Sequence, residues 1–194
     1  MARPPRLGKV KTRLAETLGA EKALAVYRRL LDHTFKVVRE SHLGAKVFWS
    51  EEDKEAVRGY RLLSGIQKGN DLGERMADAF LRTNKSRHIF MIMIGTDCFE
   101  LRESLLHDAV ESLNTHQVVI GPSEDGGYYL LATRGYYPEL LANKSWSSPR
   151  LLEETIGQLE DLQISYHLLE TLNDIDTLDD LKSSALWTEM ADIH

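Results

Sequence analysis

Apolar and polar positions divide the chain into helical and extended stretches that alternate along its length. Between residues 20 and 39, Ala23, Leu24, Tyr27, Leu30, Leu31, Thr34, Phe35 and Val38 recur three and four apart, which predicts an amphipathic helix. Residues 89–94 are apolar without a break and end at Gly95, with Asp97 two positions on. That pattern predicts a central strand, buried on both faces, that delivers a carboxylate at its C-terminal tip. Open α/β sheets keep their ligands at such tips. The competing account of Asp97 is that it caps the helix that follows. Residues 45–49, 117–120, 128–132 and 164–169 predict further strands, and residues 51–63 a charged helix or loop. Helices are predicted where Leu72, Met76, Ala79 and Phe80 share a face, where Leu105, Leu106, Ala109, Val110 and Leu113 do, and from Ser148 and Pro149 through Leu152, Thr155, Ile156 and Leu159. Thr177 and Asp180 form a capping-box pattern ahead of a last helix through Leu181 and Leu186. The sum is a three-layer α/β arrangement with strands between helices.

Composition narrows this picture. A chain of 194 residues with 42% hydrophobic and 28% charged positions suits a single domain spanning residues 1–194. No apolar run approaches the roughly 20 residues that cross a bilayer, and the basic N-terminus has no apolar block behind it. A cytoplasmic location is therefore expected, with no membrane span. The one cysteine, Cys98, excludes an internal disulfide and a thiolate-rich metal site. It reads as a small soft residue closing the strand, since no His lies between Met91 and Phe99 to activate it as a nucleophile. A formal charge of -6 argues against a nucleic-acid surface.

Charge distribution carries the chemistry. Arg3, Arg6, Lys9, Lys11 and Arg13 crowd the N-terminus with no acid among them, in a loop punctuated by Pro5 and Gly8. Such a loop could wrap an anion, Arg supplying bidentate contacts, although it lacks the order of a Walker loop. A solvated basic terminus would look the same. Gln67, Asp71 and Arg75 lie on a polar turn feeding a helix, where substrate contacts and ordinary surface groups are both common. Asp125 precedes Gly126 and Gly127 in a loop between two apolar strands. The paired glycines permit a positive φ or close approach of a ligand, and a plain hairpin is the alternative. Trp146 would wall a pocket or cover the core edge. Asp174 and Asp176 alternate with Ile175, so both could point one way. If the strands ending near Asp97 and Asp176 are neighbours, the two carboxylates could hold Mg²⁺ or Mn²⁺, with phosphate oxygens and water completing the shell.

Six segments then carry a resemblance: GKVKTRL at 8–14, QKGNDLGERM at 67–76, IGTDCFEL at 94–101, GPSEDGGYYLL at 121–131, WSS at 146–148 and DIDTLDDL at 174–181. In this order they resemble a bacterial family of small GT-A fold transferases. That family is associated with radical-SAM gene clusters, and includes glycosyltransferases assigned to arsenosugar biosynthesis. The series is also similar to nucleotidyltransferases of the molybdenum-cofactor and phospholactate guanylyl types. The resemblance implies a Rossmann-like nucleotide-diphospho-sugar transferase fold. Gly8, Lys11 and Arg13 would bind nucleotide phosphates, with Gln67, Asp71, Arg75, Gly126 and Gly127 also on the nucleotide or sugar side. Asp97 would be a metal ligand, Asp125 would face the acceptor, and Asp176 would be a second metal or acceptor-side carboxylate. The partners implied are a nucleoside-diphosphate sugar or a nucleoside triphosphate, and a small-molecule acceptor.

Two departures stand out. Phe99 occupies a position where the family usually has Pro. More seriously, the family opens with a buried strand, whereas this chain opens MARPPRLG, so a truncated first strand is expected. Either translation starts upstream of this Met or another element covers the gap, a homodimer being one arrangement that would do so. Three functions follow as expectations: metal-dependent glycosyl transfer, nucleotidyl transfer with release of pyrophosphate, and a degenerate non-catalytic nucleotide binder.

Overall fold

The computed structural model describes residues 1–83 and 90–190. A short helix α1 (Thr12–Leu18) runs into the long α2 (Ala20–Glu40), followed by β1 (Lys46–Trp49) and β2 (Leu63–Ile66). Then come α3 (Leu72–Thr83), β3 (Met91–Ile94), α4 (Glu103–Ser112), β4 (Val118–Pro122) and β5 (Tyr128–Thr133). A 3₁₀ turn at Pro138–Leu140 leads to α5 (Leu151–Asp161), β6 (Tyr166–Leu168), α6 (Leu178–Ser183) and α7 (Ala185–Glu189).

The strands form two sheets. β1 and β2 pair in parallel, and a second sheet has the order β3-β5-β4-β6, with β5 antiparallel to both neighbours and β4 parallel to β6. Strand alternation sorts the core of the larger sheet. Val119, Leu130 and Ala132 face Leu105, Leu106 and Ala109 of α4, while Val118, Ile120 and Leu131 face Met76 of α3 and Leu159 of α5. Layers of helix therefore cover both faces, as expected for a three-layer α/β fold.

Several expectations need correction. The strand over 89–94 is not central: β3 occupies an edge of its sheet and is half-buried along its length, because among the described residues no strand flanks its other side. Its predicted first residue, Ile89, lies outside the described residues. β2 has no counterpart in the sequence pattern, since Leu63-Ser64-Gly65-Ile66 offers neither an apolar run nor a period and its Leu63 is 76% exposed. The helix expected from Ser148 begins at Leu151. There the Gly126 carbonyl accepts the Leu152 N–H at 2.9 Å, and Ser148 instead turns the chain by accepting from the Arg150 N–H at 3.2 Å. The loop after β4 does close an antiparallel hairpin, so the hairpin account of Gly126 and Gly127 holds for the backbone.

The long α2 and the capping box agree with the pattern. Leu30, Leu31 and Val26 of α2 are fully buried, Thr177 accepts from the Asp180 N–H at 3.3 Å, and the Asp180 carboxylate accepts the Thr177 N–H at 2.6 Å.

Candidate active site

A cleft of about 680 Å³ opens at the C-terminal tip of β3. Of the residues given nucleotide, metal or acceptor roles by sequence it gathers six: Lys11, Arg13, Gln67, Arg75, Asp97 and Asp176. Gly8, Asp71, Asp125, Gly126 and Gly127 do not line it.

Asp97 and Asp176 meet by a route the sequence does not reveal. β3 and β6 stand at opposite edges of the sheet, so their strands are not neighbours. The chain beyond β6 instead turns across the strand tips. Leu169 N–H donates to Ile120 O at 2.8 Å, Leu172 N–H to Pro122 O at 3.0 Å, and Ile175 N–H to Asp97 O at 3.0 Å. Cys98 and Asp174 form an isolated antiparallel bridge. Alternation along this crossing segment buries Ile175 against Leu14, Leu30 and Leu181 and leaves Asp174 and Asp176 on the cleft side.

Lys11 stands between the two carboxylates. Its ammonium pairs with Asp97 Oδ1 and with Asp176 Oδ1, the latter at 2.8 Å, and its side chain is only 4% exposed. Burial opposes its charge, but the two carboxylates outweigh burial and hold the ammonium above the ordinary lysine range. The backbone at Lys11 is left-handed, φ 46°, an unusual state for a long side chain and one that concentrates at functional positions. That conformation aims the lysine inward at the start of α1. Arg13 reaches the same Asp176 more loosely, at 3.9 Å, and stays 70% exposed at the rim. Of the other N-terminal cations, Arg6 is committed to Asp53 and Glu51 and points away from the cleft.

Four predicted contacts make structural hydrogen bonds. Gln67 donates its amide to Phe48 O at 2.8 Å and Ala2 O at 3.2 Å, and Arg75 Nε donates to Gly69 O at 3.1 Å. Asp71 accepts the Glu74 N–H at 2.8 Å and so caps the first turn of α3. Asp125 accepts from Ser123 Oγ at 2.6 Å and from the Gly127 N–H at 2.9 Å, which builds the hairpin loop.

The sequence flagged Asp174 without a role. In the structure Cys98 Sγ donates to its Oδ1 at 2.6 Å. Burial raises the Asp174 carboxyl to about 6, helped by the charges of Asp97 and Asp125 and opposed by the Cys98 hydrogen bond. Burial likewise pushes the Cys98 thiol up, which fits an inert strand-closing residue. Trp146 and Tyr128 line the far side of the cleft, so Trp146 both walls the pocket and packs on the core.

Among the described residues no group of three or more His, Cys, Asp or Glu side chains converges as a ready metal cage. The donor chemistry of Asp97 and Asp176 nevertheless fits a hard divalent cation. Two carboxylate oxygens from different segments already converge on one positive charge, beside an open cleft that phosphate oxygens and water could share.

The fold is an α/β one of GT-A-like, nucleotide-diphospho-sugar transferase type. Residues 29–148, more than half of the chain, match the model of uncharacterized proteins conserved in bacteria designated DUF2064, and the chain belongs to that family. No curated protein matches it in sequence. Among solved structures, a protein assigned as a nucleotide-diphospho-sugar transferase from Desulfovibrio desulfuricans G20 is 25% identical, covers 95% of this chain and 86% of its own, and superposes with a TM-score of 0.85. CMP:2-keto-3-deoxy-manno-octonic acid synthetase complexed with CTP is similar at 12% identity and TM-score 0.55, over 82% of this chain and 88% of that one. Rv0371c from Mycobacterium tuberculosis H37Rv, in complex with manganese, is similar at 16% identity and TM-score 0.54, over 79% and 83%. The last two likenesses are of fold.

Proposed function

We propose that the cleft takes the diphosphate of a nucleoside-diphosphate sugar and transfers the sugar to a small acceptor hydroxyl. The observation that carries this reading is the charge centre at the tip of β3, where Lys11 is clamped by Asp97 and Asp176. A buried cation held by two carboxylates at a strand tip is suited to exchanging partners with a polyphosphate. In this reading Lys11 and Arg13 bind phosphate oxygens, and Arg75 supports the sugar-nucleotide side. Asp97 and Asp176 would hold Mg²⁺ or Mn²⁺ once Lys11 turns to the phosphates, and the ion would supply charge neutralisation of the departing diphosphate. Asp125 lies outside the cleft lining, on the hairpin loop between β4 and β5, and would act only on an acceptor that reaches that loop. Its Oδ1 is engaged by Ser123 and Gly127, so Oδ2 is the atom that would receive a hydroxyl proton.

A second reading has its own support. The carboxylates come from two separate segments, not from an adjacent pair, and this suits attack by a phosphorylated substrate on an α-phosphate with pyrophosphate leaving.

Product analysis separates the two. The full chain is incubated with Mn²⁺ and either a panel of nucleoside-diphosphate sugars or a panel of nucleoside triphosphates with sugar phosphates. Free nucleoside diphosphate supports glycosyl transfer, and pyrophosphate supports the second reading. Asp97→Ala is expected to lower either activity by at least about 100-fold, the scale on which loss of a transition-state charge stabiliser is felt. Undiminished turnover in that variant would remove Asp97 from the chemistry.

A further inference from the structure

Trp146 and Ser147 enter the cleft from a loop that the fold pins at both ends. The Ser148 N–H donates to Ser145 O at 3.1 Å, closing a turn whose two central residues are Trp146 and Ser147. Ser147 takes φ 64° there, a left-handed state in which glycine is usual and serine is strained. The indole packs directly over Gly73, near the start of α3: a Cβ at that glycine would stand 1.9 Å from Leu141 O and 2.9 Å from Trp146 Cζ2. At the far end of the loop, a Cβ at Gly126 would meet Pro149 O at 2.0 Å. Two glycines from separate segments thus make room for one short loop, and strain is held at the residue beside the tryptophan. Core cover alone explains neither the strain nor the exposure of this turn to the cleft.

The cleft has two ends about the charge centre. β3, whose tip leads to Asp97, pairs with β5 on one side, and on its other side the Met1 nitrogen donates to Ile94 O at 2.8 Å while Ala2 bridges Trp49 of β1. Ala2, Arg3 and Ser50 line the end towards β1, whereas Tyr128, Leu151, Trp146 and Ser147 line the end towards β5. Leu72, 39% exposed, adds to the second end, which is therefore mainly aromatic and aliphatic. A diphosphate held by Lys11 and Arg13 would extend one substituent towards each end. The substituent that enters the second end meets an indole with a serine beside it.

We infer that Trp146 and Ser147 are specificity-determining residues that receive the sugar ring attached to the diphosphate. A pyranose ring carries C–H groups on its faces and hydroxyls around its rim, so an aromatic face takes the first and a serine hydroxyl the second. This inference rests on the diphosphate reading of the charge centre. It adds the residues that distinguish a sugar nucleotide from the bare nucleotide.

The test uses the full chain with Mn²⁺ and two sets of probes: the four ribonucleoside diphosphates, and their glucose and mannose esters. Affinities are measured by calorimetry, and saturation-transfer NMR reads which ligand protons lie against the protein. At least one ester is expected to bind the parent about fivefold or more tighter than its own diphosphate, with strong transfer to the sugar C–H protons. Trp146→Ala should abolish that preference and the sugar transfer while leaving the diphosphate affinity within about twofold. Trp146→Phe, which keeps a ring face, should recover part of both. Ser147→Gly, at ease at φ 64°, should keep the thermal midpoint and weaken ester binding several-fold. Diphosphate binding without preference for any ester, or ester and diphosphate weakened equally by Trp146→Ala, would overturn this inference and leave the diphosphate reading standing. A parent that binds none of the diphosphates would overturn that reading and this inference with it.

Discussion

At the scale of single residues, Asp174 is a carboxyl whose ionisation the fold opposes by burial. Its carboxyl titrates near 6 where an ordinary one titrates at 3.8, so the folded state binds a proton more tightly than the unfolded chain. The stabilisation it offers is complete below 3.8 and is lost as pH rises through about 6, a swing of at most about 3 kcal/mol. Asp174→Asn cannot ionise. Its thermal midpoint relative to the parent is expected to climb between pH 4 and pH 6 and then level off. A difference that stays flat over that window, measured by calorimetry, would place the strain elsewhere. The sequence could flag Asp174 and Asp176 as alternating about Ile175, since that needs only strand geometry. It could not say that one meets a thiol and the other an ammonium, because both partners arrive from more than 75 residues away, with separations of 76 and 165.

At the scale of elements, the hairpin loop and the start of α5 depend on each other. Gly126 sits at φ 86°, its carbonyl accepts the Leu152 N–H at 2.9 Å, and a Cβ there would run into the backbone carbonyl of Pro149. Gly126→Ala is expected to cost about 1–3 kcal/mol, from left-handed strain together with the displaced turn. A lowered midpoint in urea unfolding, with unchanged slope, checks this. Helices with full periodicity, such as α2, were legible because one face of the pattern is one face of the element. Elements that the pattern misplaced are those set by neighbours. β2 pairs with β1 despite carrying Ser64 and Gly65, and α5 starts at Leu151, where the distant Gly126 carbonyl takes one of the helix's first, otherwise unpaired N–H groups. Lys11, Asp97 and Asp176, which charge and strand tip mark in the sequence, lie together in the cleft. Gln67 and Arg75 line it too, but the pattern could not show that their polar groups hold neighbouring backbone.

At the scale of the whole molecule, the cleft lies beside a second cavity of about 580 Å³ lined by Phe35, Val47 and Ile92, and Met1 and Ala2 border both. No helix among the described residues is long and apolar enough to cross a membrane. The double ion pair at Lys11 has a consequence for timing. Two carboxylates and one ammonium leave the centre with a single net negative charge, and the ammonium occupies the space where a divalent ion would sit. A metal arriving alone must evict a buried lysine that has nowhere favourable to go, whereas a metal arriving with a polyphosphate brings the lysine its next partner. Binding is therefore expected to be sequential, with nucleotide enabling the ion. Titration of Mn²⁺ followed by electron paramagnetic resonance should show weak uptake by the parent alone, uptake at least about tenfold tighter with nucleoside diphosphate present, and tight uptake without nucleotide in Lys11→Met. Equal affinity in parent and variant would mean that the two partners add in either order.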